Sequence, residues 1–218
     1  MSRPVTPWIT RGVCRAAFFW LGMARHVRGQ PMRGPGAAVA NHASWLDIFA
    51  LNAGDCLYFV AKAEVARWPG IGWLARATGT VFVRRAPREA RSQADLLSAR
   101  LTAGHRLLFF PEGTSTDGQR VLQFKTTLFA PLLSDDLNND WQVQPITLKY
   151  VAPEVSDAAF YGWWGDMAFA GDLLKVLATP KQGHVEVIYH PAVRTSQMRD
   201  RKALAAWCEA RVREGLEG

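Results

Sequence analysis

The chain has 218 residues, of which 49% are hydrophobic and 21% charged. That is enough for one full core with at most a small appendage, and too apolar for intrinsic disorder. A formal net charge of +7 fits a negatively charged partner (phospholipid, nucleotide or nucleic acid), while three cysteines, Cys14, Cys56 and Cys208, without CxxC or Cys/His spacing argue against a metal site and suit small core residues in a reducing compartment.

Val13 to Ala24 is apolar apart from Arg15 and is flanked by Arg3, Arg11, Arg25 and Arg28. It is too short for the roughly 20 apolar residues of a spanning helix, and it lacks the small-residue cleavage site of a signal peptide. An interfacial helix lying on anionic lipid fits it; a helix packed on the domain is the alternative. Gly29 to Gly36 then reads as a Pro/Gly linker. The expected organisation is a membrane-associating helix and linker over residues 1–30 and one domain over residues 31–218. Nine tryptophans is a high count, and Trp8, Trp20, Trp68, Trp73, Trp163 and Trp164 lie close to glycine, proline or arginine, as rings at a membrane–water interface do. Arginine outnumbers lysine 20 to 6. Phosphate contacts favour arginine, and a genomic base-composition bias produces the same ratio.

After the linker, Ala37 to Ala40 is a short β-like run that opens into Asn41-His42-Ala43-Ser44-Trp45-Leu46-Asp47. Loops at the carboxyl ends of strands in α/β sheets collect binding and catalytic groups. A histidine–carboxylate pair there suggests a general base, with the acid orienting the imidazole and stabilising its charged form. Five residues of α-helix turn through about 500°, so the two side chains meet only if His42 precedes a helix and Asp47 points back from its first turn. Ser44 then serves as N-cap ahead of Trp45, Leu46, Ile48 and Phe49. The spacing supports a second reading as well: Ser44-x-x-Asp47 is a capping box in which Asp47 serves only backbone donors.

Further β-like runs fall at 57–61, 80–84, 107–110, 143–149 and 185–189, and helical stretches at 45–53, 89–103, 124–133, about 164–177 and 199–214. The alternation predicts an α/β domain whose mixed, mostly parallel central sheet is flanked by helices. The run ending at Phe110 opens into a second polar motif, Phe110-Pro111-Glu112-Gly113-Thr114.

Several signatures are excluded. The glycine spacing of Gly113 to Gly118 is that of a P-loop, but the Lys-Ser/Thr pair is missing. There is no G-x-S-x-G elbow, so Ser44 is a weak hydrolase nucleophile. No HExxH motif or clustered His/Cys set supports a metal, and His26, His105, His184 and His190 are scattered.

What remains, in chain order, is His42-x4-Asp47, the run from Gly79 to Arg84-Arg85, the run from Phe110 to Thr114, and Val143-Gln144-Pro145-Ile146. In this order and spacing they resemble the four sequence blocks of the glycerolipid acyltransferases of the lysophosphatidic acid acyltransferase type. The resemblance runs from about Asn41 to Tyr150, and Lys62-x-Glu64 with Pro69-Gly70-x-Gly72 is similar to the same family. It implies that His42 deprotonates a glycerol-type hydroxyl as that attacks a thioester carbonyl, with Asp47 as its partner. A thioester is already activated, so positioning plus a base, together worth about 10²–10⁴-fold for the proton transfer, is the expected device, without an acyl-enzyme. The resemblance also implies that Arg85, with Lys62 nearby, grips an anionic head group. Glu112, Gly113 and Thr114 would shape the acceptor site, where glycine lets backbone N–H groups approach an anion, and Pro145 a strand edge beside the acyl donor. Read from the residues alone, Arg84-Arg85 is a solvated strand end and Glu112 a loop ion pair.

No cofactor is implied beyond acyl-CoA or acyl-carrier protein as co-substrate. The implied partner is membrane lipid rather than nucleic acid, at the cytoplasmic face of the membrane. The family's third block often reads Glu-Gly-Thr-Arg, but here Ser115 stands in the arginine's place. A missing cation weakens the case for a bare phosphomonoester acceptor and leaves room for another lysolipid, such as a lyso-ornithine lipid. Gly162-Trp163-Trp164-Gly165-Asp166-Met167 is similar to one bacterial branch and carries no evident chemistry. The expected function is acylation of a lysophospholipid (1-acyl-glycerol-3-phosphate) in membrane lipid synthesis, with lyso-ornithine lipid as the alternative acceptor. The rival from another class is a non-catalytic basic lipid- or nucleic-acid-binding domain. His42, Asp47 and Glu112 argue against it, because binding alone needs none of them.

Overall fold

The computed structural model describes residues 6–68, 71–83, 88, 90–133 and 140–218. Eight described strands form one sheet: β1 (Ala24–Arg28), β2 (Gly36–Ala40), β3 (Tyr58–Lys62), β4 (Val81–Val83), β5 (Arg106–Phe109), β6 (Gln142–Val151), β7 (His184–Tyr189) and β8 (Val193–Arg194). Their order is β1-β7-β6-β2-β5-β3-β4, with β8 also on β6. From β6 through β2, β5 and β3 to β4 every pairing is parallel, while β7 runs antiparallel to β6. The sheet is therefore mixed and mostly parallel, as the strand–helix alternation predicts.

Helices cover both faces. α1 (Thr6–Leu21), α2 (Leu46–Gly54) and α5 (Phe169–Ala178) lie on one side, and α4 (Ala90–Thr102), a 3-10 helix (Thr126–Leu132) and α6 (Arg201–Glu217) on the other. The period of two along β2 shows why both layers are needed: Ala38 and Ala40 enter the first core with Cys14, Phe18, Leu51 and Val176, while Ala37 and Val39 enter the second with Leu101, Phe129 and Cys208. Interior strands buried on both sides tend to read as unbroken apolar runs, which is why β2 and β5 stand out in the sequence; β6 carries Gln144 and Thr147 buried among its apolar residues. Burial pushes the Cys14 thiol up to about 11 and the Cys208 thiol further still, so both are inert core residues.

Several elements differ from expectation. Residues 24–28, read as the tail of an N-terminal appendage, form β1 and pair in parallel with β7. β1 is an edge strand with mostly exposed side chains, so it carries no apolar alternation. α1 starts earlier than the apolar run and ends at Gly22, whose φ of 65° lets Met23 N–H reach back to the Phe18 carbonyl at 3.1 Å. Of its two charged residues, Arg11 and Arg15, the latter donates to the Ala53 carbonyl at the end of α2 at 2.9 Å, and Arg25 donates to the Ala50 carbonyl at 2.8 Å. Two cations thus complete the carboxyl end of α2.

The stretch 124–133 is 3-10 rather than α-helical, with Pro131 inside it removing a donor. α5 begins at Phe169 rather than near 164, because a loop with Gly165 at φ 60° precedes it. α3 (Ile71–Ala77), the short 3-10 helix Ala63–Arg67 and β8 had no sequence signal. Arg85, with Arg84, Arg3 and Pro69-Gly70, lies outside the described residues.

Candidate active site

β2 ends at Ala40, at the parallel sheet's carboxyl edge, and its loop is clipped to the neighbouring strand before it turns into α2. The Asn41 side chain donates to the Leu148 carbonyl at 2.9 Å and accepts the Leu148 amide at 2.8 Å. His42 follows, its ring stacked on Phe110 with centroids 4.1 Å apart and planes 11° from parallel. Phe110 comes from the loop after β5, so the two polar motifs meet ring to ring. Thr116 joins them again, since its backbone N–H donates to the His42 carbonyl at 2.9 Å.

His42 Nδ1 lies 2.7 Å from Asp47 Oδ2, with side-chain exposures of 21% and 0%. The same Oδ2 accepts the amides of Ala43 at 2.8 Å and Ser44 at 3.1 Å, and Oδ1 accepts the Tyr150 hydroxyl at 2.7 Å. Two obligate N–H donors on Oδ2 make that oxygen an acceptor, so Nδ1 carries the hydrogen and donates. The tautomer leaves the Nε2 lone pair to take a proton. The pairing and the capping reading of the sequence are both present in one carboxylate. Ser44 N–H to Asp47 is half of a capping box, but Ser44 Oγ accepts from Leu46 at 3.3 Å instead of closing the other half. The residue before α2 is Trp45 in helical conformation rather than Ser44.

Glu112 is buried two residues after Phe110, and among the described residues no hydrogen bond is formed at either carboxylate oxygen. Burial pushes this carboxyl up to about 8. The backbone amides of His42 and Leu122, outside full hydrogen-bond geometry, offset part of that rise, and the Asp47 charge adds to it. Glu112 is no loop ion pair; it is a desolvated acid on the inner side of the His42 loop. Gly113 sits at φ 76°, where its N–H closes a turn onto the Phe110 carbonyl at 3.0 Å, and a side chain there would be strained.

Among the other residues named from sequence, Thr114 is exposed at the rim, and Lys62 is exposed at the end of β3, on the same carboxyl edge two strands from β2. Pro145, expected at a strand edge, is buried inside β6, between the β8 pairing that ends at Val143 and the β7 pairing that starts at Ile146. The gap in the ladder tolerates its missing N–H. Phe110 was visible only as part of its motif, and nothing near Tyr150 marked it. Trp163 donates its backbone N–H to the Ala43 carbonyl at 2.8 Å, so the Gly162–Met167 segment braces the His42 loop.

Beside this edge, α1, α2 and α5 enclose an apolar groove lined by Trp20, Leu21, Trp45, Phe49, Leu173 and Leu177. α1 buries Cys14 and Phe18 inward, and turns Trp8, Val13, Phe19 (77% exposed) and Trp20 (83% exposed) outward. Trp68, Trp73 and Trp164 are exposed too, Trp68 lying edge-on to Trp163. Among the described residues no helix is long and apolar enough to cross a membrane, and no group of three or more His, Cys, Asp or Glu could hold a metal.

Residues 25–149 match the Acyltransferase family model. The chain is 59% identical over 214 residues to the lyso-ornithine lipid O-acyltransferase of Rhodobacter capsulatus, covering 98% of this chain and 78% of that one. It is 36% identical over 220 residues to the enzyme of that name from Pseudomonas aeruginosa, covering 100% and 80%. A 1-acyl-sn-glycerol-3-phosphate acyltransferase of Neisseria gonorrhoeae is 40% identical over 91 residues, 41% of this chain and 36% of that one. The crystal structure of the 1-acyl-sn-glycerophosphate acyltransferase of Thermotoga maritima superposes with a TM-score of 0.69 at 24% identity, covering 97% of this chain and 78% of that one.

Proposed function

The chain belongs to the acyltransferase family, and on that premise we propose that it is an O-acyltransferase moving a fatty acyl group onto the free hydroxyl of a lysolipid. The observation that carries the reading is the pair His42–Asp47 at 2.7 Å, with the Nδ1–H donated and Nε2 left as the base. Nε2 takes the proton of the acceptor hydroxyl as its oxygen attacks the thioester carbonyl. The tetrahedral intermediate collapses with loss of the C–S bond, and the departing thiolate recovers the proton from the imidazolium. An ester and a thiol result, with nothing oxidised and no acyl-enzyme. Asp47 holds the tautomer and offsets the charge that develops on the ring.

The acceptor we assign is a lyso-ornithine lipid. Ser115 replaces the cation that a phosphomonoester would want, and the sequence relatives from Rhodobacter capsulatus and Pseudomonas aeruginosa, alike over 98% and 100% of the chain, carry that name, whereas the glycerophosphate-type sequence relative from Neisseria gonorrhoeae matches less than half. Glu112 suits such an acceptor, since a buried carboxyl without a partner accepts from a hydroxyl or ammonium donor. Gly113 and Thr114 shape the rim of that site, and Lys62 with Arg85 holds the anionic part of the head group. The donor is acyl-CoA or acyl-carrier protein. The second reading, a lysophosphatidate acceptor, rests on the shared four-block pattern.

We further propose that the protein sits peripherally on the cytoplasmic face of the membrane through the outward face of α1 and the adjoining end of α5. Exposed Phe19, Trp20, Leu174 and Leu177 supply apolar burial, and the chain's net charge of +7 supplies attraction to anionic lipid. The test is acyl transfer by the purified protein from labelled acyl-CoA and acyl-carrier protein to a panel of lysolipids. A clear preference for lyso-ornithine lipid supports the assignment, and a preference for lysophosphatidate replaces it with the second reading.

A further inference from the structure

We infer that Tyr150 is a positioning residue for the base: its hydroxyl holds the Asp47 carboxylate in the rotation that aims Oδ2 at His42. The inference rests on the reading of His42 as the base. The two oxygens of Asp47 have unequal duties. Oδ2 is shared by His42 at 2.7 Å and the amides of Ala43 and Ser44 at 2.8 and 3.1 Å, all from the loop that carries His42 itself. A carboxylate pivots easily about the bond to its Cβ, because terminal sp³–sp² torsions are broad. Donors on one oxygen, all from the loop to be oriented, cannot index that loop against the rest of the protein.

Tyr150 supplies the outside reference. It stands 103 residues away, on an interior strand, and reaches Oδ1 at 2.7 Å. β6 is fixed against β2 by their parallel ladder and by the two-way Asn41–Leu148 clip. Through Tyr150 the Asp47 carboxylate, and with it the base, is also indexed to the sheet. Burial first, then the Asp47 charge and hydrogen bond, push the Tyr150 hydroxyl well above its ordinary range, so it remains a donor throughout the working pH range. Packing alone does not require this hydroxyl, since a phenylalanine would fill the same place. The groups facing Asp47 are His42 and the two amides from the loop, Tyr150 from β6 with Tyr161 against its ring at 5.6 Å, and Glu112 from the loop after β5, which repels it once it ionises, near pH 8. Among these described neighbours Tyr150 alone donates to Oδ1.

The experiment compares Tyr150→Phe, Tyr161→Phe and His42→Ala in the full chain. Acyl transfer from a long-chain acyl-CoA to lyso-ornithine lipid, with lysophosphatidate in parallel, is followed from about pH 5 to about pH 9, per folded molecule. In Tyr150→Phe the expected kcat falls about tenfold with both KM values unchanged, as loss of a hydrogen bond to a charged group predicts. The acid limb of its kcat/KM profile moves to higher pH, because a carboxylate deprived of a donor holds the imidazolium proton more tightly. Tyr161→Phe loses bonds to Gln182 and Gly183 but none to Asp47, and it keeps the parent kcat and limb. An acid limb that stays in place, a kcat within about twofold of the parent, or the same changes in Tyr161→Phe overturns the inference. An inactive His42→Ala beside an unaffected Tyr150→Phe overturns this inference alone, whereas an active His42→Ala overturns the base reading and this inference with it.

Discussion

Thr116 reaches the carbonyl oxygen of His42 twice, through its backbone N–H at 2.9 Å and through its hydroxyl at 3.2 Å. The loop after β5 therefore holds the loop after β2 in place, which explains how two motifs far apart in sequence act as one site. The hydroxyl also accepts the Gly118 amide at 3.1 Å. Thr116→Val keeps the shape and the backbone bond while losing the hydroxyl's contacts to the His42 and Arg120 carbonyls and the Gly118 amide. It is expected to cost about 1–3 kcal/mol in urea unfolding, and to lower turnover per folded molecule severalfold, because small displacements of a base are costly. Unchanged turnover would confine Thr116 to loop stability.

Asp47 serves the fold and the chemistry, and two substitutions separate these roles. Asp47→Asn keeps an acceptor for the Ala43 and Ser44 amides and loses the charge, so its melting temperature should stay close to the parent's while kcat falls at least about 10²-fold. Asp47→Ala strands those amides and the Tyr150 hydroxyl, so it should also destabilise by roughly 3–5 kcal/mol. If Asp47→Asn melted early yet kept its turnover, Asp47 would be a cap and nothing more.

Glu112 makes stability depend on pH in a calculable direction. Burial raises its carboxyl from 4.5 in the unfolded chain to about 8 in the folded one. Below the lower value both states are protonated and the folded state bears no penalty. Between the two values the unfolded chain releases the proton while the folded one keeps it, so stability falls as pH rises, by up to about 1.4 kcal/mol per pH unit, and the loss is complete above the folded value. Glu112→Gln should remove that slope and gain on the parent from about pH 5 to about pH 8. Parallel melting curves across this range would contradict the assignment.

The lipid-facing surface is best tested by point changes. Deleting residues 1–28 would remove β1 from the sheet and Phe18 from the core, confounding binding with folding. Replacing exposed Phe19, Trp20 and Leu174 by serine leaves the core intact and should weaken binding to anionic vesicles at least about tenfold. Added salt should weaken the parent's binding, since part of the attraction is screened. Vesicle binding unchanged in the triple variant would move the contact to the Trp68–Trp73 region.

Much of this architecture can be read from the sequence for one physical reason: strands buried on both faces, such as β2 and β5, carry short apolar runs. The same reason hides β1, whose Ala-Arg-His-Val-Arg is mostly exposed at the edge. His42 and Asp47 are legible because five residues around a strand end and a helix start can be reasoned about locally. Tyr150 is not, because its hydrogen bond spans 103 residues and its strand position looks like ordinary core. Arg15 is conspicuous in an apolar run, yet that it completes the end of α2 depends on how two helices pack. The start of α5 is missed because aromatic residues around Gly165 look helical in composition, while the glycine's left-handed backbone ends that possibility.

The most direct measurement is the turnover of His42→Ala, with folding verified by melting and by circular dichroism. A ring that is partly exposed and stacked on Phe110 contributes little to the core, so the variant should fold. With His42 as the base, acyl transfer to lysolipid from either donor should fall at least about 10²-fold, with acceptor binding retained. A folded His42→Ala protein that turns over near the parent rate would contradict the proposed mechanism.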